Sequence, residues 1–387
     1  MDFDGEKIYK CGDSLSKIYK CGEVVWSADT GPDYSKMALT FEAEDPETFL
    51  EIFFPRAITF EYSYDGGENW TTVTVDRIQR PLWIDEDHKT FMIKANETSY
   101  NGTSISATTG PFKVYGNIMS LIDSTNYSNL LSLTANRAFA LLFMNCTGLT
   151  SAENLVLPAT ALTTACYSNM FLGCTSLTTG PARLPATTLA RFCYEGMFYG
   201  CSSLQTAPEL PATTLADYCY LTMFQECTSL KEAPELPATT LAENCYRNMF
   251  VLCSSLENAP ELPATTLAPY CYLSMFYGCT SLTQAPALPA TALTLNCYTQ
   301  MFYGCTALTT APVLPATVLV QSCYQNMFSG CTSLNYIKCL ATDLTATDCL
   351  SYWVVGTPFI GTFVKKAGVE WPRGINGIPY IWTIEEA

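Results

Sequence analysis

Cysteine is the residue through which this sequence could do most chemistry, because a thiolate can bind a metal, form a disulfide or act as a nucleophile. The 387 residues include 19 cysteines, and many stand eight positions apart, as Cys271 and Cys279 do. Zinc sites usually separate paired cysteines by only two to four residues and add a second pair or histidines. The only histidine is His88, so we expect no metal and no other cofactor.

The cysteines belong to an internal repeat that also carries Met-Phe, Ala-Pro and Leu-Pro. Its period is 26 or 27 residues, and a degenerate copy precedes the first full one. A period of this length fits one coil of a solenoid. The apolar spacing from Cys271 to Cys279 predicts short helical turns, α or 3₁₀, and Pro286 and Pro289 exclude a long central strand. We therefore predict a leucine-rich-repeat-like solenoid of about eight coils over residues 138–341, with a short parallel strand near each Ser-Leu-Thr. The repeat's methionines are Met170, Met197, Met223, Met249, Met275, Met301 and Met327.

Stacked coils would place fifteen of the cysteines in two ladders, with one side chain per coil in each. The first cysteine ladder is Cys166, Cys193, Cys219, Cys245, Cys271, Cys297 and Cys323, and the second is Cys146, Cys174, Cys201, Cys227, Cys253, Cys279, Cys305 and Cys331. Adjacent coils would bring equivalent cysteines near the lower end of the Cα separation that a disulfide accepts, about 4.4–6.8 Å. A ladder offers every cysteine two equal partners, however, and free cysteine is among the most buried residue types. We expect buried thiols that fill space, with systematic disulfides as the alternative.

The Met-Phe-x-Gly-Cys-Thr-Ser-Leu core followed by Leu-Pro resembles the BspA-like class of leucine-rich repeats, which occurs in surface and phage-borne proteins of gut and oral bacteria. The resemblance covers residues 138 to about 341. It implies a role in adhesion and recognition, and it brings no catalytic residues to this chain. The coils here are longer than is usual for that class and contain extra prolines, which leaves the strand length open.

Four segments flank the repeat. The predicted divisions are an N-terminal β segment for attachment (1–30), an all-β sandwich-like domain (31–116), an N-terminal cap or linker (117–137) and a C-terminal cap (342–387). The first segment holds Lys-Ile-Tyr-Lys-Cys-Gly twice and resembles N-terminal segments of some phage tail proteins. Asp65-Gly66-Gly67 predicts a hairpin in the all-β domain. Three tryptophans of the last segment suit an end cap, which must cover the final apolar layer.

Positions that vary from coil to coil are expected to face water and to carry any recognition. The candidate ligand-binding residues are Tyr199, Tyr218, Tyr270, Tyr277 and Tyr303 in the repeat and Trp70 and Trp83 in the all-β domain. Tyrosine is common at adaptable binding surfaces, and the tryptophans could be platforms for sugars. The alternatives are plain solvent positions for the tyrosines and core packing for the tryptophans.

Acidic residues are a separate feature of the sequence. Glu209, Glu235 and Glu261 recur at one position of consecutive coils, and Asp85, Glu86 and Asp87 are adjacent. Either group could attract a cation, but we expect the stacked glutamates to splay into solvent, and three adjacent acids do not converge on an ion unless a loop folds back. The formal net charge is −16 and no run of bases occurs. Nucleic acid and anionic membrane are therefore not expected partners.

Several classes of protein are disfavoured. No apolar stretch approaches the ~20 residues of a membrane span, and the acidic start lacks the features of a secretory signal. With one histidine and no phosphate-binding glycine loop, an enzyme is not expected. A glycosidase built on two carboxylates leaves no motif, so that possibility stays open.

These features predict a non-enzymatic recognition or adhesion scaffold. The first hypothesis is a phage or phage-like tail-associated protein that binds a bacterial host surface, either glycan or protein, and meets other tail proteins through its N-terminal segment. The alternative is an exported bacterial cell-surface adhesin of the same repeat class, which would need an export signal. The expected location is accordingly the virion or the bacterial surface.

Overall fold

The computed structural model describes residues 17–20, 23–27, 32–75, 80–83 and 88–387. Three short pieces, 17–20, 23–27 and 80–83, are described by their backbone alone. The first Lys-Ile-Tyr-Lys-Cys-Gly copy, both N-terminal cysteines and the acidic run Asp85–Asp87 lie outside the described residues.

The N-terminal part is built of antiparallel strands, which alternating apolar residues and turn signals favour. The strands are β1 Lys17–Lys20, β2 Glu23–Ser27, β3 Leu39–Ala43, β4 Phe49–Phe53, β5 Ile58–Ser63, β6 Thr71–Val75, β7 Arg80–Trp83, β8 Thr90–Ala95, β9 Ser104–Thr109 and β10 Phe112–Asn117. β1 pairs with β2. β10, β3, β8, β5 and β6 are neighbours in that order in one sheet, and β4 lies between β7 and β9 in another. The hairpin predicted at Asp65-Gly66-Gly67 is confirmed, since β5 pairs with β6 across it.

Each repeat begins with a run of tight turns rather than with a helix. Alternate N–H groups bond in two directions: that of Met170 donates to the Tyr167 carbonyl of its own coil (3.2 Å), and that of Phe171 donates to the Met197 carbonyl of the next coil (2.9 Å). Every fourth residue has a positive φ, as Asn169 does at 54°. A helix needs negative φ throughout, so the prediction of short helical turns is wrong for this segment.

After the turns each coil runs extended. The short strand predicted near Ser-Leu-Thr is present as β11 Leu149–Ser151 in the first coil, which β12 Leu155–Val156 follows. Later coils meet there through single parallel bridges, such as Thr179 with Thr206. The prolines explain the interruption, because they have no N–H to donate to a ladder. We call residues 137–356, whose successive coils bond to one another in this way, the coil stack.

The core of the coil stack consists of identical side chains stacked from coil to coil. Two aromatic ladders run through it, with ring centroids 5.3–5.8 Å apart in the phenylalanine ladder and 5.7–6.1 Å apart in the tyrosine ladder. All these rings are buried. The ladders comprise Phe143, Phe171, Phe198, Phe224, Phe250, Phe276, Phe302 and Phe328, and Tyr167, Tyr194, Tyr220, Tyr246, Tyr272, Tyr298 and Tyr324.

Both ends of the coil stack are covered. At the N-terminal end β10 pairs in parallel with β11 and β12, and the Tyr100 ring stacks on Phe139. At the C-terminal end Trp353 stacks on Tyr324 and on Trp371. A parallel sheet closes this end, with strands β13 Tyr336–Cys339, β14 Thr362–Lys365 and β15 Thr383–Glu386.

Helices are few. The described residues contain three short 3₁₀ helices, Tyr34–Lys36, Ile118–Leu121 and Tyr127–Asn129. Ile118–Leu121 is buried and lies in the segment that leads into the coil stack. In the part of the chain that the structure describes, no helix has the length and apolar character to cross a membrane.

Candidate binding surface

The turns of the coil stack hold left-handed residues in three columns. Each column takes one residue from every coil, with φ between 52° and 78°. Glycine is free to adopt such angles, whereas other residues lose about 1–2 kcal/mol each. The third column is largely glycine. The columns are Arg137, Ala165, Phe192, Tyr218, Asn244, Tyr270, Asn296, Ser322 and Asp348; then Leu141, Asn169, Gly196, Thr222, Asn248, Ser274, Gln300, Asn326 and Tyr352; then Asn145, Gly173, Gly200, Glu226, Leu252, Gly278, Gly304, Gly330 and Gly356.

The cysteine ladders lie inside these turns and fill the coil interior, as expected. Every cysteine from Cys166 to Cys349 is a free, buried thiol. Burial raises the pKa of Cys253 to about 12, so its thiol stays protonated. Its S–H donates to the Phe224 carbonyl at 3.0 Å, and the second ladder repeats this bond from coil to coil at 3.0–3.1 Å. Protonated, inaccessible thiols make poor metal ligands and poor nucleophiles.

The leading row is the set of side chains that precede the first cysteine ladder: Phe192, Tyr218, Asn244, Tyr270 and Asn296. The rings of Phe192 and Tyr218 stack at 4.7 Å, and the Arg191 guanidinium lies 4.8 Å and 5.4 Å from their centroids. Both rings are half-buried. Tyr270 is also half-buried, two coils further on. These side chains belong to the first left-handed column, which fixes how they leave the backbone.

The trailing row is the set that follows Met-Phe in each coil: Leu172, Tyr199, Gln225, Val251, Tyr277, Tyr303 and Ser329. Tyr277 and Tyr303 stack face to face at 4.6 Å with an interplanar angle of 1°. The Tyr199 hydroxyl donates to Glu226 Oε1 at 3.3 Å, and burial together with that carboxylate raises the pKa of Tyr199. The half-buried tyrosines of this row therefore present their rings at fixed positions.

The structure divides the sequence-predicted site residues among three places. It brings Tyr277 and Tyr303 into contact and puts Tyr218 and Tyr270 in the other row. Trp70 is half-buried in the N-terminal part, where its Nε1 donates to the Gly67 carbonyl at 2.9 Å and the Lys94 ammonium lies 4.2 Å from its ring centroid. One ring face is thus occupied. Trp83 ends β7, and its side chain lies outside the described residues.

Sequence reasoning missed two parts of this surface. Phe192 is one of the varied positions but was left out of the candidate ligand-binding residues, although its place just before a first-ladder cysteine is the one that Tyr218 holds a coil later. The S–H bonds of the second cysteine ladder also went unforeseen, because spacing alone does not reveal a carbonyl on the neighbouring coil. The groups of acidic, histidine and cysteine side chains in the described residues include none arranged to hold a metal ion.

Comparison with known proteins gives one match. The sequence model of the BspA type leucine rich repeat region matches six copies, over residues 141–272 and 244–348, which together span more than half of the chain. Neither the curated proteins nor the solved structures gave a match.

Proposed function

Because the chain belongs to the family of proteins with BspA-type leucine-rich repeats, we propose that it is a non-enzymatic recognition scaffold that binds a bacterial surface, through a glycan or a surface protein. The family match indicates a repeat protein of the surface or adhesion type. The repeats would form a solenoid whose fixed positions build the frame and whose varied outer positions contact the ligand.

The observation that carries the proposal is the stacked Tyr277–Tyr303 pair on the outside of the coil stack. Aromatic rings held in one orientation lose little conformational entropy on binding and give a large amphipathic contact area. The hydrogen bonds between successive turns fix the backbone under this pair, as in the bond from the Gly278 N–H to the Tyr303 carbonyl at 2.7 Å. The Phe192–Tyr218 pair repeats the arrangement in the leading row.

The scaffold could belong to either of two structures, a phage or phage-like tail or the bacterial cell surface. The tail hypothesis draws on the twin N-terminal motif, of which the second copy gives β1 of the β1–β2 hairpin. The adhesin hypothesis draws on the family match. Fractionation of a producing culture followed by mass spectrometry separates them. Recovery with phage-like particles supports the tail, and recovery with washed cell envelopes supports the adhesin.

Recognition itself is tested with purified, fluorescent protein and whole bacteria. Saturable attachment that unlabelled protein displaces would support the proposal. Absence of saturable attachment to any strain from the source community, with the protein folded by circular dichroism, would refute it.

A further inference from the structure

A second outer face of the coil stack is formed by its extended Ala-Pro-x-Leu-Pro segments. We call the outward side of residues 207–211, 233–237, 259–263 and 285–289 the proline face. In each segment the leucine is buried, whereas the residue before it is exposed. Those exposed residues are Glu209, Glu235, Glu261 and Ala287.

Along the proline face, the backbone hydrogen bonds that join adjacent coils elsewhere are missing. One coil earlier, Leu184 N–H donates to the Glu209 carbonyl (3.1 Å) and Glu209 N–H donates to Ala182 (3.0 Å). The ladder resumes where Ala311 N–H donates to the Tyr336 carbonyl (2.9 Å) and Leu314 N–H donates to the Lys338 carbonyl (2.9 Å). Between these points, in residues that the structure describes throughout, no backbone hydrogen bond joins the Ala-Pro-x-Leu-Pro segments of adjacent coils. Bonds beside these segments continue, such as that from Glu257 N–H to the Lys231 carbonyl (3.0 Å). The N–H and C=O groups of Glu235 and Glu261 are therefore available to a ligand.

Two grooves open where the ladder is missing. One, of 370 Å³, lies between segments 207–211 and 234–237, and the other, of 460 Å³, lies between 258–263 and 284–289. Their linings are mainly alanine, proline and leucine, with Glu209 and Glu235 in one and Glu261 in the other. The grooves are two coils apart, and the phenylalanine rings of these coils are 5.6 Å apart from one coil to the next. The separation of about 11 Å lies between the lengths of three and four residues of a polyproline II helix, about 9.3 Å and about 12.4 Å.

The charge of the proline face is negative at its centre. Glu209 forms an ion pair with Arg183 at 3.5 Å. Among the described residues, no base lies within ion-pair distance of Glu235 or Glu261. Exposed Glu232 and Glu257 add to the negative charge beside them. An acidic ligand or a second copy of this chain, with its net charge of −16, would be repelled.

We propose that the proline face binds a basic polypeptide segment in the polyproline II conformation. Side chains three or four residues apart in the segment would enter the two grooves, and lysine or arginine beside them would meet the carboxylates of Glu235 and Glu261. The carbonyls of such a helix are unpaired and can accept from the free N–H groups of the face. The inference deepens the proposed recognition function, on which it rests, by naming a face and the chemistry of the partner.

The test uses a fluorescein-labelled peptide of four Leu-Pro-Lys repeats, with four Leu-Pro-Glu repeats as its acidic counterpart, and fluorescence anisotropy on the full chain. The lysine peptide should bind and the glutamate peptide should not. The double variant Glu235→Gln/Glu261→Gln should weaken binding about tenfold at low salt, since two exposed charge pairs are lost. The matched control Glu68→Gln/Glu385→Gln removes the same charge from exposed sites elsewhere and should bind like the parent.

A variant that blocks a groove makes the test independent of charge. Ala287→Phe places a ring over the 460 Å³ groove. Because position 287 is exposed, the variant should fold normally, but it should bind the lysine peptide more weakly. The proposal would be overturned if both double variants lost the same affinity for the lysine peptide, or if Ala287→Phe bound that peptide as tightly as the parent chain. If the parent attaches to bacteria but ignores the lysine peptide, this inference fails and the recognition function stands. If it binds the peptide but attaches to no bacterium, the recognition function fails.

Discussion

Reductant should leave the stability of this protein unchanged, because the cysteine ladders are thiols. A disulfide between adjacent coils would close a loop of about 26 residues and contribute about 3.5 kcal/mol by the loop-entropy relation. Three such bridges in one ladder would add about 10 kcal/mol, comparable with the whole unfolding free energy of a typical domain, about 5–15 kcal/mol. The melting temperature should therefore be the same within error with and without a strong phosphine reductant.

The rate at which the buried thiols are alkylated can also be predicted. Burial raises the pKa of Cys253 to about 12, so at pH 8 about one molecule in ten thousand carries the thiolate. An exposed thiol with a pKa of about 8.5 is about one quarter ionised there. The thiolate of higher pKa is the better nucleophile, by on the order of thirtyfold for this difference in pKa. Alkylation of Cys253 should thus be slower by on the order of a hundredfold, before poor access is counted.

The assay is timed labelling with iodoacetamide, followed by peptide mapping that resolves each cysteine. A guanidinium-unfolded sample without reductant is the control and should label every cysteine from Cys166 to Cys349 at once. A melting temperature that falls by many degrees in reductant would refute the thiol account. Unlabelled cysteines in the unfolded control would do the same.

Three further substitutions test the packing. Trp353→Ala should cost about 3–5 kcal/mol in chemical unfolding, because a fully buried ring is lost from the end of the coil stack; a cost below 1 kcal/mol would contradict its capping role. Gly304→Ala should cost only about 1 kcal/mol, since its φ is 70° but the added Cβ would lie 3.8 Å from Gly278 Cα, an ordinary contact. Burial raises the pKa of Glu195, so ionisation of its carboxyl destabilises the folded state above that pKa. Glu195→Gln should therefore raise the melting temperature at pH 7 and leave it unchanged at pH 4. A gain that persists at pH 4 would contradict this.

Much of the fold follows from the repeat itself. The 26-residue period, the buried cysteines and the recurring Met-Phe pair were enough to predict stacked coils with identical side chains inside. The β5–β6 hairpin also followed from its Asp-Gly-Gly turn. Strands β7 and β9 are not evident from the sequence, because Pro81 argues against a strand and Ser104–Thr109 is polar. β7 is an edge strand, where proline is tolerated.

The turns could not be read correctly from apolar spacing. A Cys-Tyr-x-x-Met-Phe pattern puts its apolar residues on one side of a helix, but repeated turns do the same when every fourth residue is left-handed. Asn169 and Gly173 are compatible with that conformation, whereas Phe192 and Tyr218 are not typical of it. Hydrogen bonds to the next coil hold such residues in place, and a single coil's sequence does not contain its neighbour's geometry.

Attachment of tyrosine variants to bacteria tests the central claim most directly. In the triple variant Tyr199→Ala/Tyr277→Ala/Tyr303→Ala the trailing row loses its rings, while Tyr380→Ala removes a more exposed tyrosine from the C-terminal end as the control. Aromatic anchors at binding surfaces contribute about 2 kcal/mol or more, so the triple variant should attach at least tenfold more weakly and the control should attach like the parent. Unchanged attachment of a correctly folded triple variant would contradict the account.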